Sequence, residues 1–389
     1  MTACLDEEAV LSFCRGSMPA EARARALEHM TECDECRALV SAVARSSLMA
    51  PKKPTSDPAM AATTPAEGLG SNKPPPSAPS SPVHPGDILA GKYCVERVLG
   101  AGGMGVVVAA RHTQLGQLVA LKFLLPAACE APGAIERFLR EGKAAAHITS
   151  EHVARVVDTG VLENGSPYLV MEHLEGTDLA ALTTQHGPLS VPEAIDYVLQ
   201  ACEAVVEAHQ LGIVHRDIKP ANLFLSRRRD GSPLVKVLDF GISKSEGGSR
   251  SHLTSTSTLM GSPRYMSPEQ MVSAKDVDHR TDIWALGIVL FELVTGKPVW
   301  QADTVQGLCA LIASMPAPRI RQLVADAPPL FEDVVARCLA KSPNDRIPTV
   351  ADLALALAPI APETSRTSID RILGVARRPR PSAAPMSQP

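Results

Sequence analysis

No stretch of this 389-residue sequence reaches the roughly 18 consecutive apolar positions that a membrane-spanning helix requires. The nearest approach, "ADLALALAPIAP", carries Asp352 and meets Pro359, so no membrane span is expected. Neither acidic nor basic residues dominate, with 42 Asp and Glu against 38 Lys and Arg. A net charge of −4 and an isoelectric point near 6.3 give no basic field, which argues against nucleic acid as a direct partner. Met1 to Val10 is acidic where a secretory leader would be positive. With nine scattered cysteines, an odd number, this predicts a reducing, cytoplasmic setting. No internal repeat is found. What is present is 45% hydrophobic residues, enough for a large core and for more than one folded unit.

Between Ser46 and Pro85, ten of forty positions are proline, most others are Ala, Ser, Thr or Lys, and aromatics are absent. That composition buries too little to offset the entropy of ordering, so residues 46–86 are expected to be a flexible tether. It separates a small unit, residues 1–45, from a large one, residues 87–358. From Ala361 on, five Arg stand against two acids among several prolines, and residues 359–389 are expected to be a disordered tail. A docking peptide around "IDRILGVARR" is the alternative.

The large unit opens with β-branched runs around turn signals, "YCVERVLGAGGMGVVVAARHTQLGQLVALKFLL", which predicts a small sheet of hairpins with Gly116-Gln117 as one turn. Helical spacing follows in "VPEAIDYVLQACEAVVEAHQLG", ending at Gly212, and again through residues 282–358. Within the sheet, Gly100, Gly102, Gly105 and Val107 fit G-x-G-x-x-G-x-V, with Gly103 between them. A dinucleotide-binding turn has the same glycines, but it needs a helix next, whereas "VVVAARH" is strand-like. Two strands joined by such a turn can instead cover ATP phosphates with backbone N–H groups. Lys122 stands 22 residues after Gly100 in "VALK" and is a candidate to hold the α- and β-phosphates. Its expected partner is Glu141, in the helical "AIERFLREGKAAAHI", with Glu136 as the competing acid.

Further on, "HRDIKPAN" supplies His215, Arg216, Asp217, Lys219 and Asn222, and "DFG" begins at Asp239, 22 residues after Asp217. With these motifs in order, residues 87–358 resemble the eukaryotic-type protein kinases, in particular the bacterial serine/threonine kinases. The resemblance implies an α+β bilobal fold, with an antiparallel-sheet lobe carrying one helix and a mainly helical lobe. It also implies roles. Asp217 would orient the substrate hydroxyl and accept its proton, and Lys219 would neutralise charge on the moving phosphoryl group. Asn222 and Asp239 would hold Mg2+, and the backbone of Glu172 and Leu174, after Met171 in "YLVMEHLEG", would meet the adenine of ATP. Glu269 of "SPEQ" would pair with Arg346, and Asp282 and Trp284 would anchor the central helix. Arg216 implies a loop controlled by phosphorylation, with Thr254 and Thr256 of "SRSHLTSTSTLMG" as autophosphorylation sites. Ser262 stands where the family often has a Thr that contacts the catalytic loop, and is the less expected site.

The small unit holds a different pattern. His29, Cys33 and Cys36 in "EHMTECDEC" give H-x3-C-x2-C, and imidazole with thiolates suits tetrahedral Zn2+. A closed site needs a fourth ligand, for which Cys4 is preferred and Cys14 comes second. The stretch resembles the zinc-containing anti-sigma-type domain. A metal is physically reasonable, because about 45 residues rarely hold a core without a cross-link. The expectation is therefore a Ser/Thr kinase acting on protein substrates with ATP, Mg2+ and a structural Zn2+. Self-association for phosphorylation in trans, and a regulator bound by the zinc module, are the further partners expected. The competing reading is a scaffold whose zinc module sequesters a transcription regulator.

Overall fold

The computed structural model of the chain describes residues 4–6, 9–10, 12–13, 18–33, 36–37, 40, 83–102, 105–130, 133–240, 263–273 and 277–378. Most of the expected tether lies outside them, as do Cys14, Gly103, Thr254, Thr256 and Ser262.

The first lobe is a six-stranded antiparallel sheet of β1 (Ile88–Leu89), β2 (Tyr93–Ala101), β3 (Gly105–His112), β4 (Leu118–Leu124), β5 (Val156–Val161) and β6 (Pro167–Glu172), in the order β1-β2-β3-β4-β6-β5. Alternation places Tyr93, Val95, Val106, Val108, Leu121, Phe123, Tyr168 and Val170 in one apolar cluster. Gly116, at φ +66°, makes the β3–β4 turn. Between β4 and β5 lie a short α2 (Pro126–Cys129) and α3 (Ala134–His147), whose Phe138 packs on Leu124 and Leu169.

The second lobe is mainly helical. It contains α4 (Leu179–His186), α5 (Val191–Gln210), α6 (Pro268–Val272), α7 (Arg280–Thr295), α8 (Val305–Ser314), α9 (Pro329–Cys338) and α10 (Val350–Leu357). A small sheet of β7 (Thr177–Asp178), β8 (Leu223–Arg227) and β9 (Pro233–Val237) sits at the front. α5 starts where Ser190 and Glu193 form a reciprocal capping box, and ends before Gly212 at φ +75°. α7 is apolar almost all round and buried along its length, with Ile283, Trp284, Leu286, Ile288, Val289 and Leu290 fully enclosed.

Two findings depart from the sequence expectations. Part of the predicted tail is folded: Arg366–Ala376 forms α11, which buries Ile369 and Ile372 in the helical core. Thr364 and Ser365 donate to Asp196 of α5, and Arg371 reaches Glu151 and Glu203. The basic, proline-flanked composition hid a short amphipathic helix whose groove is built by distant residues. Second, the small unit does not stand apart. Its helix α1 (Ala20–Glu32) brings Ala26, Leu27 and Met30 into one apolar cluster with Val10, Phe13, Cys36 and Val40, and with Ala310 and Ala313 of α8. No helix among the described residues is long and apolar enough to cross a membrane.

Candidate functional site

The glycine hairpin lies at the β2–β3 tip. Gly100 is opposite Val107 and Ala101 opposite Val106, and Gly102 N–H donates to Gly105 O at 2.9 Å. A Cβ at Gly105 would stand 2.5 Å from the Phe123 carbonyl oxygen, so the fold itself demands glycine there. At Gly100 or Gly102 a Cβ would meet nothing within 4 Å, and neither residue has a positive φ. The protein's own packing does not call for glycine at those two positions, which leaves open space beside the backbone there.

On β4, Lys122 is the cross-strand neighbour of Val107 and of Leu169 on β6. Its Nζ donates to Asp239 Oδ1 at 2.7 Å, so one partner is the acid of "DFG". The expected partner, Glu141, lies in the middle of α3, and its side chain is outside the described residues; Glu136 is exposed.

Residues 215–222 form the second half of the site. Lys219 Nζ donates to Asp217 Oδ2 at 3.0 Å, while Asn222 Nδ2 donates to Asp217 O at 2.8 Å and to its Oδ2 at 3.2 Å. With its amide nitrogen engaged, Asn222 would meet a cation through Oδ1. Two site residues are in the left-handed region, Arg216 at φ +65° and Asp239 at φ +50°. Each such conformation costs about 1–3 kcal/mol in a non-glycine residue and persists only where its surroundings hold it.

What holds Arg216 is Asp282, fully buried at the start of α7. Its carboxylate accepts from the backbone N–H of His215 at 2.9 Å and of Arg216 at 2.8 Å, and its Oδ2 lies 2.8 Å from His209 Nε2. Burial pushes the Asp282 pKa up, but the His209 contact and the neighbouring histidines and N–H groups bring it below the ordinary carboxylate value. Burial also depresses His215, whose ring contacts Phe240 at 4.7 Å and whose Nε2 lies 3.0 Å from Leu238 O. The sequence reading gave Asp282 the task of anchoring a helix. Its larger part is to fix the backbone beside Asp217, and the signal for that was an acid at the head of a wholly apolar run.

At the lobe junction, Glu172 accepts from Lys236 Nζ at 2.7 Å and from Arg155 N–H at 2.8 Å, while its own N–H donates to Arg155 O. The Glu172 N–H is therefore engaged within the protein at this junction. Met171 pairs with Ala120 and Val156, and Leu174 follows just past β6. Glu269 grips Arg346 through both oxygens, at 2.5 and 2.7 Å. Gln270 Nε2 donates to Arg216 O at 3.1 Å, a tie from α6 to the catalytic loop that the sequence reading missed.

A second cluster lies in the small unit. One ligand atom from each of Cys4, His29, Cys33 and Cys36 lies within 4.8 Å of all the others. Cys4 Sγ is 3.8 Å from Cys33 Sγ, and His29 Nε2 is 3.3 Å from Cys36 Sγ. Around tetrahedral Zn2+, with Zn–S of about 2.3 Å and Zn–N of about 2.0 Å, the S···S and N···S edges come to about 3.8 and 3.5 Å. The donor set therefore fits the ion in number, chemistry and spacing. Leu5 N–H donates to Cys36 Sγ at 3.2 Å, the outer support that a thiolate ligand takes. Hydrogen bonding to Cys33 and Cys36, and their charge, push the Cys4 thiol up to about 11.

Comparison with known proteins bears on the large unit. The family model described as "Protein kinase domain" matches residues 93–355. Serine/threonine-protein kinase pkn3 of Myxococcus xanthus is 36% identical over 272 residues, 69% of this chain and 50% of that protein. Serine/threonine-protein kinase PknB of Mycolicibacterium smegmatis is 36% identical over 269 residues, 68% of this chain and 42% of that protein. The chain thus spans half or less of the length of these relatives. Among solved structures, the kinase domain of Mycobacterium tuberculosis PknI superposes with a TM-score of 0.56 at 28% identity, covering 72% of this chain and 100% of that domain.

Proposed function

The chain belongs to the protein kinase family, and on that footing we propose that it transfers the γ-phosphoryl group of ATP to serine or threonine hydroxyls of proteins. The observation that carries this is a convergence from separate stretches of sequence: Lys122 meets Asp239, while Lys219 and Asn222 both meet Asp217.

Asp217 acts as the base that orients the acceptor hydroxyl and takes its proton. Lys219, 3.0 Å from it, spreads positive charge toward the transferring group. Lys122 holds the α- and β-phosphates under the hairpin of Gly100, Gly102, Gly103 and Gly105, and Val107 lines the same strand. Glu141 of α3 is the acid that would orient Lys122, and Asp239 would share in holding the metal. The backbone of Glu172 and Leu174 receives the adenine. Asp239 and Asn222 would hold Mg2+, which would neutralise charge on the phosphate oxygens. Arg216 is half-buried, and burial lowers its pKa, so an added phosphate nearby is electrostatically favoured. This supports Thr254 and Thr256 as autophosphorylation sites, modified in trans by a second copy. In the small unit, Cys4, His29, Cys33 and Cys36 would hold a structural Zn2+.

Replacing Asp217 by Asn tests the central assignment. Phosphorylation of a generic basic protein should fall by about 10²–10⁴-fold, while binding of a fluorescent ATP analogue changes little. An undiminished rate would remove Asp217 from its role as base.

A further inference from the structure

α8 is apolar on two faces. Leu308, Leu311 and Ile312 turn into the helical core, while Ala310 and Ala313, 1% and 4% exposed, join Leu27, Met30 and Cys36 of the small unit. Met271 and Val272 of α6 pack on the same cluster. The small unit therefore completes its core with side chains borrowed from the second lobe, as a segment of about 45 residues, too short to enclose a core of its own, is expected to do. Cys36 belongs to both arrangements: it is one of the four donors, and at 2% exposure it is part of the docking core. Whatever fixes its thiolate also fixes the packed face.

α6 leads from that face to the chemistry. Gln270 in its first turn accepts from Ser267 N–H at 3.0 Å and donates to Arg216 O at 3.1 Å, one residue from Asp217. Met271 and Val272, the next two residues, touch the small unit.

We propose that the face formed by α6 and α8 is the docking surface for the chain's own Cys/His unit, and that metal occupancy braces α6 and through it the catalytic loop. The proposal rests on reading the cluster as a zinc site. Metal binding and docking then favour one another, because each is stronger when the other is in place.

Hydrogen exchange on the full chain, read together with native mass spectrometry, tests this. The zinc-loaded protein is compared with chelator-treated protein, with Cys33→Ser and with Ala313→Glu. Chelation and Cys33→Ser should each remove one zinc and speed exchange in residues 268–273 and 305–314 by at least about fivefold, the low end of coupling between linked sites. Residues 213–219 should follow in the same direction, and α9 should not change. Ala313→Glu, which attacks the dock from the lobe side, should keep its zinc yet loosen α1 and α6. Zinc that is present and removable without any change in α6 and α8 overturns the proposal and leaves the zinc site standing. Absence of zinc from the untreated protein overturns both. A response in α6 that stops short of residues 213–219 overturns the link to the catalytic loop.

Discussion

The catalytic loop and the glycine hairpin, the two loops to which the proposed function assigns the phosphates, are built in opposite ways. The catalytic loop is fixed from behind: His215 and Asp282 are fully buried, three donors converge on one carboxylate, and a left-handed Arg216 is held in place by that bond. The glycine hairpin is backed on one side only, where Gly105 lies against the Phe123 carbonyl of β4. Burial fades along β2 toward the tip, Leu99 is exposed, and no atom approaches the open sides of Gly100 and Gly102. Groups that must meet a moving proton need tightly determined positions. A cover for phosphate oxygens needs backbone and space, and takes its shape from what it covers.

The largest effect should come from breaking the rigid side. Asp282→Ala leaves the N–H groups of His215 and Arg216 and the ring of His209 without their acceptor inside the protein, where losing one partner of a buried charged network costs about 3–5 kcal/mol. A fall of that size in urea-unfolding stability is expected, with phosphorylation reduced about as severely as by loss of Asp217. Asp282→Asn preserves volume but offers one acceptor oxygen to three donors, and should fall between the two. If Asp282→Ala were as stable as the parent, the loop would have some other support and the contrast would fail.

A smaller effect, with a sign set by pH, separates the rigid lobe from its surface. Burial raises Glu292 of α7 to about 7, against the Tyr265 hydroxyl that donates to it at 2.9 Å and the charge of Arg264. In the unfolded chain the same carboxyl ionises near 4.5. Between those values the unfolded state has released a proton that the folded state keeps, so this contribution is fully present below 4.5 and is lost as pH rises through about 7. The loss is on the order of 3 kcal/mol. Glu292→Gln should match the parent at about pH 4 and exceed it by on the order of 2–3 kcal/mol at about pH 8. Urea midpoints across that range give the answer, and parallel curves would contradict it.

Much of this contrast was legible in the sequence. The helix from Val191 could be read from its spacing and its stop at Gly212, and the hairpin from β-branched runs around glycine. Asp217, Lys219 and Asn222 stand within six residues of one another, so a local motif reports them. Convergence over long separations could not be read. His209 and the N–H groups of His215 and Arg216 reach Asp282 across 66 to 73 residues, and nothing local says which acceptor they find. α11 was missed for the same reason: Ile369 and Ile372 look sparse among Arg and Ser until α5 supplies their groove. Nor does H-x3-C-x2-C say that the small unit rests on α8, because Ala310 and Ala313 are too small to advertise a second apolar face.

The smallest effect on stability is the sharpest test of the compliant side, because two glycines of one hairpin should part company. Gly105→Ala forces a Cβ to within 2.5 Å of the Phe123 carbonyl oxygen, so the β3–β4 pair must shift, at a cost of about 1–3 kcal/mol. Gly102→Ala meets no atom within 4 Å and should leave stability within about 0.5 kcal/mol of the parent. Nucleotide binding should respond to Gly102→Ala as well, weakening by about tenfold, since the methyl group would occupy space that phosphate oxygens need beside the backbone N–H groups. Calorimetric titration with a non-hydrolysable ATP analogue distinguishes the cases. An alanine at 102 that changed neither stability nor nucleotide affinity would mean that the open side of the hairpin does not face the ligand, and that the fold rather than the phosphates shaped this loop.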